Sequence, residues 1–243
     1  MQLASPAAAG WARQRARALV VAHRGAWQDA PQNSLRAFEQ AIELGCDVVE
    51  LDVRRTADGQ LVVVHDARVR GRAVARLTYD ELQVRAKEGQ APPTLESVLA
   101  VVAGRIAVDL ELKEDGYVEQ VMQGVAARLT PEQYVVSSFR DAVLPAVRHW
   151  VPDARTGLLI SPQRRVGDLE RRVGKAQVDF LAPHASLTRT GLLTWAAARG
   201  LPSWVWTVND PRALASLLAD ARVEAVVTDR PRRALDISRS RAL

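Results

Sequence analysis

The sequence predicts an α/β chain closed into a (β/α)8 barrel, with a short excursion after the second strand. Eight apolar, β-branched runs recur along the 243 residues, and seven of the intervals along this series hold a helical pattern. An eightfold alternation of this kind favours a closed barrel over an open sheet. A single tight-turn signal, Asp58-Gly59, interrupts the alternation and marks where the chain doubles back.

Leu19-Val20-Val21-Ala22 opens the first strand, expected over 19–23. A helical pattern over 34–44 starts at Asn33-Ser34 and stops before Gly45, where a left-handed residue can close the last turn. The second strand spans 47–53; after the Asp58-Gly59 turn, 60–65 reads as an antiparallel return rather than a barrel strand. Residues 66–93 then form the excursion, on the rim made by the ends of the first two strands. The next helix, 94–103, opens at Pro93-Thr94-Leu95-Glu96, with Glu96 near the positive end of the helix dipole. Strands follow at 105–112, 134–138, 155–159, 178–182, 203–208 and 224–228, interleaved with helices at 116–129, 140–149, 165–174, 188–199 and 211–221. Gly200 falls just past the penultimate of these helices, and Asp210-Pro211 starts the last.

The length suits one barrel domain, expected over 19–235 behind an N-terminal tail of residues 1–18. Hydrophobic residues at 48% and charged residues at 25% are those of an ordinary globular chain. The one cysteine, Cys46, cannot form an internal disulfide. The net charge of +5 comes from dispersed arginines, with lysine only at 87, 113 and 175, and no aromatic residues interleave with them. That pattern argues against nucleic-acid binding, although a positive field would attract an anionic substrate. No stretch approaches the length of a membrane span, and residues 1–18 lack an apolar secretory core, so a cytoplasmic location is expected.

Chemistry concentrates at the strand ends. His23-Arg24-Gly25 follows the first strand, Glu50-Leu51-Asp52 ends the second, and His65-Asp66 follows the return strand. Alternation along a strand puts Glu50 and Asp52 on one side, spaced to grip a cation, with Val49, Leu51 and Val53 on the other. In Asp109-Leu110-Glu111-Leu112-Lys113 the three charged residues likewise share a face. A buried charge must be paired or bind metal, so Glu111 can complete an all-oxygen site that favours Mg2+ or Ca2+ over zinc. Lys113 can meet an anionic ligand or form an ion pair with Asp109 or Glu111. His149, late in a helix beside Trp150, reads as structural, whereas His184 follows a strand and can line the mouth. Trp204 and Trp206 share a strand face, where core packing is the default.

Taken in order, Ala22-His23-Arg24-Gly25, Pro31-Gln32-Asn33-Ser34, Val49-Glu50-Leu51-Asp52-Val53, Val64-His65-Asp66, Leu110-Glu111-Leu112-Lys113, Trp206-Thr207-Val208-Asn209 and Thr228-Asp229-Arg230-Pro231 resemble the glycerophosphodiester phosphodiesterase family. The resemblance spans about residues 19 to 231. It implies a TIM barrel that hydrolyses a small-molecule glycerophosphodiester to glycerol phosphate and an alcohol with a divalent cation. The family's metal ligands fall on Glu50, Asp52 and Glu111, and its acid–base histidines on His23 and His65. Its phosphate-binding positions fall on Arg24 and Lys113, and Trp206 falls on a substrate-facing wall. A phosphodiester needs these residue types: cations to neutralise it, and two groups titrating near neutral pH to move protons.

The chain departs from the family at Gln32, where a glutamate is usual, so one negative charge is lost beside the phosphate and metal region. The short excursion offers few groups to select the alcohol, which predicts tolerance of several head groups. Related activities share the same motifs: a lysophospholipase D, a phosphodiesterase that forms a cyclic phosphate, or a catalytically weak barrel that binds a phosphate ligand.

Overall fold

The computed structural model describes residues 17–87, 90–162 and 168–240. Most of the expected N-terminal tail, residues 1–16, lies outside the described residues, as do residues 165–167 at the start of an expected helix.

In chain order the elements are β1 (Leu19–Ala22), α1 (Leu35–Leu44), β2 (Val48–Arg55), β3 (Leu61–Val63), β4 (Arg68–Val69), β5 (Arg72–Ala73), α2 (Tyr79–Arg85), α3 (Leu95–Val102), β6 (Ala107–Leu112), α4 (Val118–Ala126), β7 (Tyr134–Ser138), α5 (Val143–Trp150), β8 (Arg155–Ile160), α6 (Leu169–Ala176), β9 (Phe180–Pro183), α7 (Leu192–Ala197), β10 (Ser203–Val205), α8 (Pro211–Leu218), β11 (Val223–Thr228) and α9 (Pro231–Arg239). Strands β1, β2 and β6 to β11 pair in parallel around a ring, and β1 closes it by pairing with both β11 and β2. This is the expected (β/α)8 barrel. Beyond the barrel rim, β3 pairs antiparallel with the last residues of β2, with Val53 opposite Val63, as the Asp58-Gly59 turn predicts.

The barrel interior has two levels. In its lower level Leu19, Val21, Val48, Val135, Phe180 and Trp204 belong to one buried cluster, and Arg155, ion-paired with Glu224, lies over the Phe180 and Trp204 rings. Gly157 leaves the space that Phe180 fills, since a Cβ there would stand 2.1 Å from the Phe180 ring. The upper level, at the C-terminal ends of the strands, is charged. The strands' outward residues, such as Val20, Val49, Leu51, Val108 and Leu110, pack with the surrounding helices in a larger core.

Several boundaries differ from expectation. Strand β10 ends at Val205 instead of 208, and Trp206 joins the ring only through a bridge to His184. The excursion contains the β4–β5 hairpin and α2, and α2 begins with a capping box in which Thr78 and Glu81 each bond the other's backbone N–H. Helix α9, which sequence periodicity did not mark, starts on Pro231 and packs beside β1 and α8. Ser34 alone caps α1; Asn33, read as part of that helix start, is left-handed at φ 58° and serves the site instead. Among the described residues, no helix is long and apolar enough to cross a membrane.

Candidate active site

The register of β2 against β6 sets Glu50 beside Asp109 and Asp52 beside Glu111. Alternation turns all four carboxylates into the barrel. One oxygen each from Glu50, Asp52 and Glu111 lies within 4.8 Å of the others. Lys113 reaches into the same cluster, its Nζ 2.6 Å from both Asp52 Oδ1 and Glu111 Oε1. The ion pair with Glu111 foreseen as an alternative role for Lys113 is therefore present, and Asp52 shares it.

The β1–α1 loop closes over the cluster. The backbone N–H of Arg24 donates to Glu50 Oε2 at 2.9 Å, and its Nε stands 3.2 Å from Asp52 Oδ2. Asn33 Nδ2 donates to the same Asp52 oxygen at 2.7 Å. This wrapping needs left-handed backbone at Arg24 and Asn33, both at φ 58°. Gly25 lies between them at φ 83°, where a Cβ would collide with the Ala37 backbone at 2.7 Å. Glycine is thus required for the loop to pass against α1. Gln32 occupies the position where the related motif carries glutamate, and its Oε1 accepts from Arg24 Nη1 at 2.7 Å. The neutral amide supplies the hydrogen bond without the charge.

Burial and mutual repulsion govern the acids. Burial pushes the Glu50 carboxyl well above the usual range, and the Asp52 and Glu111 charges add to the push. Its Oε1 is buried with no hydrogen-bond partner among the described residues. Burial also raises Glu111, against the opposing charge of Lys113. Asp52 resists burial and lies below the usual range because Lys113 and Arg24 face it. Asp109 is raised to about 7 by burial, with the Glu111 and Asp52 charges adding to the push. An orphaned oxygen within an excess of buried negative charge fits a bound cation, and a donor set made only of oxygen suits a hard ion.

The two histidines stand on different supports. His23 directly follows β1, and its backbone N–H donates to Thr228 O at 3.1 Å. Its Nδ1 is 2.6 Å from Asp229 Oδ1, and Asn209 Nδ2 donates to the other Asp229 oxygen at 2.6 Å. Burial works against the Asp229 charge, but the His23 and Asn209 hydrogen bonds hold its pKa below the usual range. The far side of the ring faces the cluster, with Nε2 4.0 Å from Glu50 Oε2. His65 follows β3 and pairs through Nδ1 with Asp66 at 2.8 Å. Its carbonyl accepts from Arg54 Nε at 3.0 Å and Nη2 at 2.8 Å. Partial burial lowers the His65 pKa, favouring the neutral ring.

These groups open into a cavity of about 420 Å3. His23, Arg24, Glu50, His65, Glu111 and Lys113 line its charged side. Trp206 forms part of the opposite wall, fixed by an Nε1 hydrogen bond to Ala182 O at 2.6 Å and an edge contact with Phe139. The structure therefore brings together every site residue expected from sequence. His184 instead caps the following turn and meets the Trp206 ring edge-on at 5.0 Å, outside the residues lining this cavity. His149 lies in the last turn of α5, its ring edge-on to Trp150. Sequence reasoning assigned no site role to Asn33, read as part of a helix start, or to Asn209 and Asp229. The last two end or follow motifs at the C-terminal ends of barrel strands, the same signal that exposed His23.

Residues 23–233 match the model of the glycerophosphoryl diester phosphodiesterase family. YhdW of Bacillus subtilis strain 168 is 33% identical over 233 residues, covering 87% of this chain and 94% of YhdW. A glycerophosphodiester phosphodiesterase of Caldanaerobacter subterraneus subsp. tengcongensis is 28% identical over 240 residues, covering 91% and 98%. The crystal structure of a glycerophosphodiester phosphodiesterase from Parabacteroides distasonis superposes with a TM-score of 0.79 at 28% identity, over 93% of this chain and 98% of that one. The chain belongs to the glycerophosphoryl diester phosphodiesterase family.

Proposed function

We propose that this protein hydrolyses glycerophosphodiesters to glycerol 3-phosphate and an alcohol, with Glu50, Asp52 and Glu111 holding Mg2+ or Ca2+. The observation that carries this reading is the convergence of His23 and His65 on one cavity beside that acidic cluster. When bound, the cation would supply Lewis-acid stabilisation of charge on the phosphate oxygens.

The chain's own residues supply the rest. Arg24 and Lys113 offset the diester's charge and stabilise the charge that builds on its oxygens in the transition state. Water's oxygen bonds to phosphorus while the ester P–O bond breaks. One histidine accepts the water proton, and the other donates a proton to the departing alkoxide. Asp229 holds His23 with its Nε2 turned toward the cluster, so little reorganisation is needed as the proton moves. Trp206 excludes water from one wall.

The test is release of glycerol phosphate from glycerophosphocholine with Mg2+, Ca2+ or EDTA. Turnover is expected with a divalent cation, and its loss by a factor of about 10² or more is expected in His23→Ala. No turnover with any cation would overturn the reading. Mg2+ or Ca2+ should also raise the Tm of wild type more than that of Glu50→Gln, a signature independent of turnover.

A further inference from the structure

The excursion gathers positive charge that nothing in the chain neutralises. Arg70, Arg72 and Arg85 line a hollow of about 490 Å3 together with Val84, and Arg68, Arg72 and Arg76 line another of about 390 Å3. Arg72 belongs to both, so the two hollows adjoin. Among the described residues none of these five arginines forms an ion pair, whereas Arg128, Arg140, Arg199 and Arg222 on other surfaces each meet a carboxylate. Asp80 and Glu81 also line the first hollow, but both stand in the first turn of α2, where they offset the helix dipole, and Glu81 accepts from Thr78 N–H.

Two features set this patch apart from ordinary solvated surface. Arg70 takes left-handed backbone at φ 44°, ahead of Gly71 at φ 80°, in the two-residue turn that joins β4 to β5. Asparagine or glycine fills the first position of such a turn at little cost, so an exposed arginine there is held against strain. Val84 is 87% exposed, and of the other large apolar residues described only Trp150 is exposed as well. Trp150 has the His149 ring against it, and its neighbour Arg148 pairs with Asp179; Val84 shares its hollow with unpaired arginines.

Guanidinium groups around an apolar tip fit a surface that offers phosphate and hydrocarbon together. A nucleic acid would need rings for its bases to stack on. The excursion's one aromatic residue, Tyr79, is packed on the cluster of Val62, Val74, Leu77 and Leu82, and its hydroxyl donates to Pro92 O.

We propose that the excursion docks this protein on anionic lipid, with Arg70 and Arg72 on headgroup phosphates and Val84 at the hydrocarbon boundary. The excursion leaves the barrel after His65 and returns at Pro93, so docking brings the mouth to the bilayer. This docking is separate from the phosphodiesterase reading and stands or falls without it.

The test is co-sedimentation of the full chain with vesicles of phosphatidylcholine alone or with about one third phosphatidylglycerol. Binding is expected to the anionic vesicles only, and should weaken at about 0.5 M salt. Arg70→Asn/Arg72→Glu should reduce it about tenfold or more without lowering Tm, since asparagine suits the left-handed turn. Arg105→Asn/Arg189→Glu, which changes the net charge equally outside the excursion, should reduce it less than about twofold. Val84→Trp should strengthen binding and Val84→Ser weaken it. Absent binding, equal binding to neutral vesicles, or equal losses in the two double variants would overturn the assignment. So would indifference to both Val84 substitutions, or tighter binding to a single-stranded oligonucleotide than to the vesicles.

Discussion

His23 and His65 face the same cavity, yet one is mounted on the barrel and the other on its appendage. His23 extends β1, its partner Asp229 follows β11, and Asn209, which donates to Asp229, follows β10, so three neighbouring strands set its position. His65 has one exposed side-chain partner, Asp66, and owes its position to the backbone around it. Rigid elements hold side chains more closely than loops do, so the two histidines should respond differently when their partners are removed.

The largest effects should come from the rings themselves. His23→Ala and His65→Ala should each lower kcat by 10² to 10⁴ in glycerol phosphate release. The comparison sharpens one step outward. Asp229→Asn should cost about 10- to 100-fold in kcat with little change in KM, because it removes the group that fixes the His23 tautomer. Asp66→Asn should cost less than about fivefold in kcat; equal losses in the two variants would break the contrast between barrel and appendage.

Stability should separate them as well. The Asp229 pKa is depressed in the folded chain, so its contribution is fully present above the unfolded aspartate value near 4. It is lost as pH falls through the folded value. Asp229→Asn should therefore lower Tm at pH 7 and converge on wild type as pH falls through the depressed folded value; the Asp66 side chain is 72% exposed, and Asp66→Asn should leave Tm nearly unchanged throughout. The smallest effect expected is that of Gln32→Glu, which replaces one acceptor for Arg24 with another. Turnover should change only modestly, by less than about threefold, and a rise above a thousandfold would show that the amide impairs the natural site.

The barrel was legible because strand and helix periods differ and because Gly45, Thr94 and Asp210-Pro211 punctuate them. The metal-side carboxylates were legible for the same reason: period two placed Glu50 with Asp52 and Asp109 with Glu111 before any register was known. Register itself was not legible, so neither the contact of Lys113 with Asp52 nor that of His23 with Asp229 could be foreseen; both cross between strands distant in sequence. Asn33 was hidden behind Ser34, since either residue is a good helix cap and only the backbone shows which one caps. Trp206 read as a strand residue, and its backbone does stay on the ladder, donating to Pro183 O at 3.1 Å and accepting from Ala185 N–H at 2.6 Å, while its indole N–H is held by Ala182 O.

His65 is framed on both flanks by bonds that belong to the barrel. Val64 N–H donates to Asp52 O at 2.9 Å, Val63 N–H donates to Pro93 O at 2.9 Å, and Arg54 holds the His65 carbonyl. The excursion leaves and re-enters the rim through this frame, and Val74, Leu77 and Leu82 seat it on Val62 of β3. A longer turn grafted between β4 and β5, away from that seat, would remodel the approach to the mouth while leaving His23 and His65 where they stand.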